Sequence, residues 1–269
     1  MWKVLKLISF ISIVFMFSIL PKDVFSQITI HSSDILGLIG KSQTFENDTT
    51  GSITVNVGSP GANQTWDFRS VVVQGIEATQ QFLGPQGTPF VTEFPQSNFV
   101  MRAISQSTPG FESYTYYEVT STYFSTLGAG IVTPDTSFLY SFADDIAPLP
   151  VQFGSAWTSA ETDTFGDPQT GATVTITTSD ITVDAWGTVH LPVGNFICLR
   201  ARSDNTEISQ IVVGGVPLYT DTTTNIDYSL LSKDNFVVAS VSSQDGETNP
   251  NFTNASYFRR LTSAKTDIE

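Results

Sequence analysis

The chain has 269 residues, with 26 Asp and Glu against 12 Lys and Arg, so its formal net charge is −14 at pH 7. Hydrophobic residues make up 40% of the chain and aromatic residues 12%, which is enough for a packed core and argues against disorder. A nucleic-acid partner is not expected, because this acidic charge would repel phosphates and no basic stripe offsets it.

The first 26 residues have the three-part pattern of a secretory signal peptide. Lys3 and Lys6 precede an apolar run over Leu7–Leu20, and Val24-Phe25-Ser26 then offers a suitable cleavage site. The apolar run is shorter than the roughly 20 residues that a membrane-spanning helix needs. We therefore predict cleavage before Gln27, a secreted mature protein and no transmembrane segment after cleavage.

Alternation of apolar and polar residues recurs through the mature chain, whereas helical periodicity does not. Apolar residues alternate with Thr, Ser or Asn over Ile53–Val57, over Val174–Thr177 and again over Ile181–Val183. Such alternation is typical of strands with one face on a core and the other in water. The Asp- and Pro-containing stretch Ala143–Phe153 is a candidate crossover or boundary. We predict a single all-β domain over residues 27–261.

Turn residues divide the last third of that domain into hairpins. Pro192-Val193-Gly194, Gly214-Gly215 and Lys233-Asp234-Asn235 each separate two apolar-alternating runs. The whole pattern predicts roughly fourteen strands, arranged as an antiparallel two-layer β-sandwich or half-barrel, with no helix longer than a turn or two. Residues 262–269 are polar and lack periodicity, which indicates a loose tail or linker.

No assembled catalytic motif is evident. The two histidines, His31 and His190, have no acid–base partner nearby in sequence, and no G-x-S-x-G elbow exposes a serine. Cys198 is the only cysteine, so no internal disulfide can form, and its apolar neighbours indicate a buried, inert thiol. We name no catalytic residue and favour a protein that is not an enzyme.

The richest oxygen cluster consists of Glu161, Asp163 and Asp167, next to a turn. Closely spaced carboxylates of this kind can bind Ca²⁺, but they fit the solvated end of a strand equally well. The second interpretation is favoured, and we predict neither a metal site nor a cofactor.

Aromatic residues are dense around residues 111–124, and Trp66, Trp157 and Trp186 lie elsewhere. Exposed rings at strand spacing would suit a carbohydrate platform, whereas buried cross-strand rings would be core. Core packing is favoured.

Residues 61–68, 187–200 and 252–258 together resemble secreted, largely uncharacterised β-rich proteins of Bacteroidetes, many of which are cargo of the type IX secretion system. The C-terminal sorting domain of such cargo is lacking here, which implies either surface delivery of a longer chain or a periplasmic location. The hairpin over Pro192–Arg200 also resembles one in half-barrel proteins related to periplasmic lipoprotein carriers, whose curved sheet cups an apolar ligand.

These observations favour a secreted, non-enzymatic binding or cell-surface module for an unknown ligand, either a carbohydrate or a hydrophobic molecule. Two alternatives stay open. One is an extracellular hydrolase acting on polysaccharide or protein, and the other is a periplasmic carrier of a hydrophobic ligand.

Overall fold

The computed structural model describes residues 27–105, 108–140 and 145–266 of the chain. In these residues the chain forms one five-residue helix, α1 (Ser32–Leu36), and fifteen strands. In chain order the strands are β1 (Ser42–Asp48), β2 (Ile53–Thr54), β3 (Gly61–Asp67), β4 (Ile76–Leu83), β5 (Phe99–Ser105), β6 (Glu112–Val119), β7 (Tyr123–Val132), β8 (Ser137–Tyr140), β9 (Asp145–Pro148), β10 (Ala156–Asp167), β11 (Gly171–Leu191), β12 (Gly194–Val213), β13 (Val216–Ser232), β14 (Phe236–Ser243) and β15 (Asn254–Lys265).

All of these strands belong to one open sheet. Its hydrogen-bonded order is β10-β11-β12-β13-β14-β15-β1-β4-β5-β6-β7-β8, and β2, β3 and β9 pair with β15, β11 and β7. The pairing is antiparallel except where β3 runs parallel to β11. The prediction of an all-β, mostly antiparallel fold is therefore confirmed.

The three predicted hairpin turns join β11 to β12, β12 to β13, and β13 to β14. Gly214 and Gly215 have φ angles of 62° and 73°, the left-handed conformation that a primed two-residue turn requires. In the region of β11 and β12, the sequence pattern predicts several short strands, but the structure has two long ones. β11 has 21 residues and β12 has 20. The runs over residues 174–177 and 181–183 lie on one strand, because their Thr, Ile and Val residues suit extended backbone and no Gly or Pro interrupts them.

The described residues form three hydrophobic cores, and the two larger ones lie on opposite faces of the sheet at β12. Cys198 and Leu199 are neighbours on β12, and because side chains alternate along a strand they belong to different cores. The first core contains Cys198 together with Trp66, Phe68 and Phe258. The second core contains Leu199, and we call the sheet face turned toward it the inner face.

The sheet curls so that distant strands meet on this inner face. Phe124 of β7 and Phe236 of β14 are separated in the sheet by five strands, yet their ring centroids are 5.7 Å apart. At the edge of the sheet, β9 lies against β10. The N-terminal segment also joins this closure, because Ile30 exchanges two backbone hydrogen bonds of 2.8 and 2.9 Å with Val151.

The three segments that carry the family resemblance meet in the first core. Residues 61–67 form β3, which pairs in parallel with β11, and the indole Nε1 of Trp66 donates a 2.9 Å hydrogen bond to the Val57 carbonyl. Arg200, only 1% exposed, donates to the Val57 and Gly58 carbonyls and forms a 2.8 Å ion pair with Asp184. The three segments therefore have a structural role, because each contributes residues to the first core.

Several predictions concern the ends of the chain. The predicted signal peptide, residues 1–26, lies outside the described residues. No helix in the described part of the chain is long and apolar enough to cross a membrane. β15 continues to Lys265 by pairing with Ser42–Thr44, so residues 262–265, predicted as the start of a loose tail, are part of the sheet. Within the candidate crossover, Asp145–Pro148 forms β9.

Candidate ligand pocket

A pocket of about 410 Å³ opens on the inner face, between β10–β14 on one side and the N-terminal segment with β7 and β9 on the other. Its lining is mostly aliphatic and aromatic, with one polar region. The lining residues are Ile30, Ile35, Phe124, Ala147, Leu149, Val151, Trp157, Ser159, Ser179, Ile181, Ala201, Ser203, Asn205, Asp227, Ser229, Leu231, Phe236 and Val237. Both the volume and this composition are typical of small-molecule sites.

Strand register explains why the polar side chains lie together. Ser159, Ser179, Asn205 and Asn225 occupy one row across β10 to β13. The adjacent row runs from Trp157 through Ile181 and Ser203 to Asp227. Directly paired residues in antiparallel strands point to the same face, so short polar residues from four strands converge at one end of an apolar pocket.

The polar side chains form a directed hydrogen-bond network. Asn205 Nδ2 donates to Asp227 Oδ2 at 2.7 Å, and Asn225 Nδ2 donates to Asp227 Oδ1 at 2.9 Å. An ionised carboxylate can only accept, so the amide nitrogen of Asn205 must face Asp227 and its Oδ1 must face the serines. The hydroxyls of Ser179 and Ser203 accordingly donate to that Oδ1, at 2.7 and 2.6 Å.

Asp227 is the one titratable side chain among the described lining residues. Burial raises the pKa of its carboxyl group, although hydrogen bonds from Ser242, Asn205 and Asn225 act in the opposite direction. A carboxyl group with a perturbed pKa inside a concave, largely apolar pocket is a recognised mark of a functional site.

The N-terminal segment covers the pocket at its apolar end. Ile30 and Ile35 are 1% and 2% exposed and line the pocket from this side. His31 lies between them at the start of α1, where its backbone N–H donates a 2.8 Å hydrogen bond to Asp34. His31 is not among the residues that line the pocket. It is instead the N-cap residue of α1.

His190 also lies away from the pocket. It pairs in register with Asp67 of β3, and its Nδ1 is 2.6 Å from Asn195 Oδ1 at the surface. The neighbouring Asp67 is engaged by Arg69 in a 2.5 Å ion pair. The hydrolase hypothesis needs His190 or paired carboxylates in a cleft, and neither arrangement occurs in the pocket lining as described.

Cys198 is fully buried, as its sequence context predicted, and burial raises the pKa of its thiol to about 12. The oxygen cluster of Glu161, Asp163 and Asp167 stands at the solvated end of β10, where Asp167 Oδ1 accepts a 2.9 Å hydrogen bond from the Gln169 backbone. Within the described residues there is no group of three or more His, Cys, Asp or Glu side chains that could hold a metal ion.

The aromatic residues divide between core and pocket. Trp66, Trp186, Tyr114 and Tyr116 are all buried, as the core interpretation predicted. Trp157 differs, because it lines the pocket and is half-buried. Trp157 is among the aromatic residues that the sequence indicates as candidates, whereas Asn205 and Asp227 are not evident from sequence. Their signal is a run of short polar residues at alternate positions in otherwise ordinary strands.

Comparison with known proteins gives little further information. No family model matches the chain, and no curated protein matches it significantly. A solved structure from Bacteroides fragilis NCTC 9343, a presumed exported protein with a YmcC-like fold, is 10% identical over 84% of this chain and 96% of its own, with a TM-score of 0.31. A likeness at this level assigns neither a ligand nor an activity to the chain.

Proposed function

We propose that this protein is an exported binding protein that holds a small, mostly apolar molecule in the pocket on its inner face. The observation that carries the proposal is the pocket itself: about 410 Å³ of space with an apolar lining and one polar end. The signal-peptide pattern over residues 1–26 supports export. The resemblance of residues 192–200 to half-barrel carriers supports the same function.

The chemistry of the lining favours binding over hydrolysis. Glycoside hydrolysis usually needs two carboxyl groups facing each other across a cleft, and acyl transfer needs a nucleophile beside a base. The described lining has a single carboxylate, Asp227, and no His or Lys that could act as a base. Of its four serines, Ser179 and Ser203 donate to an amide oxygen. An amide is not a general base, so these serines are not activated as nucleophiles.

A neutral apolar dye, N-phenyl-1-naphthylamine, tests the proposal by its fluorescence increase on binding. Ala201→Phe and Ala147→Phe each add a ring inside the pocket from opposite walls, and we expect each to weaken dye binding by about tenfold or more, because the ring occupies the ligand volume. Ala160→Phe is the matched control, because Ala160 is exposed on β10 and does not line the pocket.

Circular dichroism and thermal unfolding establish that each variant is folded before its affinity is compared. Failure of the wild-type protein to bind the dye would refute the proposal. Equal dye affinity in wild type and in folded Ala201→Phe and Ala147→Phe variants would place the dye elsewhere and refute it as well.

A further inference from the structure

The ligand class of the pocket follows from which hydrogen-bonding groups it leaves available. Of the four serines in the lining, the two beside Asn205, Ser179 and Ser203, direct their hydroxyl protons to its amide oxygen. One amide proton of Asn205 is used on Asp227. Around Asp227, what remains toward the pocket is therefore lone pairs, on the oxygens of Ser179 and Ser203 and on the carboxylate, and these accept hydrogen bonds. The hydroxyls of Ser159 and Ser229, which also line the pocket, can donate or accept.

The charge of the pocket lining also favours a ligand that donates hydrogen bonds. The described lining contains one carboxylate and no Lys, Arg or His. A ligand with a carboxylate or phosphate head would meet Asp227 without any counter-charge, which is strongly unfavourable in a half-buried site. A protonated amine would instead neutralise Asp227 and use the acceptor oxygens around it.

The sheet surface leading to the pocket is acidic as well. Beyond the pocket rows, the inner face of β10–β13 carries Glu161 and Glu207 in one row and Asp163 and Asp221 in the next. Over residues 157–167, 171–183, 199–213 and 216–231, the side chains of this face include no Lys, Arg or His, and Arg200 and Arg202 lie on the opposite face of β12. His190 has the register of this face, but it lies at the far end of β11 from the acidic rows. Carboxylates arranged along one face concentrate cations near it and raise their association rate.

We propose that the ligand is an amphiphile with an apolar body and a protonated amine, whose ammonium group binds at Asp227. This inference rests on the proposed function and adds the head-group chemistry. The apolar body would lie against Trp157, Phe124 and Leu231, while the ammonium group reaches the oxygens of Asp227 and Ser203. Asp227 is a binding residue in this arrangement, and no covalent step is involved.

Competition against the neutral dye tests the inference with three ligands that share one apolar chain: octylammonium, 1-octanol and octanoate. At about pH 7 the first is cationic and the last anionic, given ordinary amine and carboxyl pKa values. We expect the wild-type protein to bind octylammonium roughly tenfold or more tightly than octanoate, the scale of a charge-assisted hydrogen bond.

Asp227→Asn should reduce octylammonium affinity by about tenfold or more, and should reduce octylammonium affinity more than dye or 1-octanol affinity. The fold should tolerate this change, because the Asn205 amide can rotate and the serine hydroxyls can accept from its nitrogen. Asp163→Asn is the matched control: it removes the same charge from the same sheet face, three rows away, and should retain the preference.

The two proposals fail separately in this experiment. If the dye binds but the affinity for octanoate or 1-octanol equals the affinity for octylammonium, the pocket is a binding site and the amine inference is wrong. The inference is also overturned if Asp227→Asn and Asp163→Asn change octylammonium affinity equally. If the dye does not bind at all, the proposed function itself fails and the amine inference fails with it.

Discussion

Replacing Arg200 with methionine should destabilise the protein strongly, because it removes one partner of a buried ion pair. The Arg200 side chain is 1% exposed and that of Asp184 is 14% exposed. The guanidinium also donates to two backbone carbonyls, of Val57 and Gly58, and its centre is 4.5 Å from the ring centroid of Tyr228. Leaving the Asp184 charge without its partner is expected to cost about 3–5 kcal/mol of unfolding free energy.

The same strand provides a matched control two residues further on. Arg202 forms a 2.6 Å ion pair with Asp204, but here the side chains are 28% and 47% exposed. Arg202→Met should therefore cost only about 0–1 kcal/mol, as exposed pairs do. Adding Asp184→Asn to Arg200→Met removes the unpaired charge, so the double variant should recover part of the lost stability.

Urea unfolding followed by tryptophan fluorescence measures these free energies, and thermal unfolding provides a second assay. For a protein of this size, a loss of 3–5 kcal/mol corresponds to a fall of roughly 6–20 °C in the midpoint. The reasoning is refuted if Arg200→Met and Arg202→Met lose the same stability, because burial would then not determine the cost. It is also refuted if Asp184→Asn makes the Arg200→Met protein less stable still.

Three further predictions test other parts of the structure. Gly187→Ala should lower the free energy of unfolding by more than about 3 kcal/mol, because the new Cβ would lie 1.9 Å from the Gln64 carbonyl oxygen. At Gly84, a new Cβ would meet nothing within 4 Å, so Gly84→Ala should be neutral when both variants are unfolded in urea. Because burial raises the pKa of the Cys198 thiol to about 12, this thiol should resist a disulfide reagent at about pH 8 and react once urea unfolds the chain. Rapid reaction of the native protein would contradict its burial. Burial raises the pKa of Asp227, so the native state binds that proton more readily than the unfolded state does. The stability of the wild type relative to Asp227→Asn should therefore be greatest below the unfolded pKa, roughly 3.9, and fall as the pH rises through the native value, as measured by urea unfolding across pH.

Fold class and local connections were predictable from sequence because they depend on short-range patterns. The alternation of Ile181 and Val183 with polar residues predicted a strand, and Gly214-Gly215 predicted a primed turn, since each signal lies within a few residues. Strand length was predicted less well. β11 spans what the sequence divides into several short strands, because β12 pairs with it along nearly its whole length, through a bulge between Val183 and Ala185. On its other side, the partner changes from β10 to β3 at this bulge.

Which side chains form the pocket could not be predicted in this way. Alternation shows that Ser203 and Asn205 share a face of β12, but it does not show what that face meets. The curl of the sheet, which brings Phe124 against Phe236, decides this.

The amino-acid sequence by itself determined an acidic, all-β chain with defined hairpins and an inert cysteine, because composition and period-two patterning are properties of neighbouring residues. Only the tertiary structure decided that Asp227 lies in a pocket with Asn205 and two serines, and that His190 lies outside it. The register of four strands, and the closure of distant strands over them, set those contacts. Both depend on residues far apart in the chain, which no local pattern specifies.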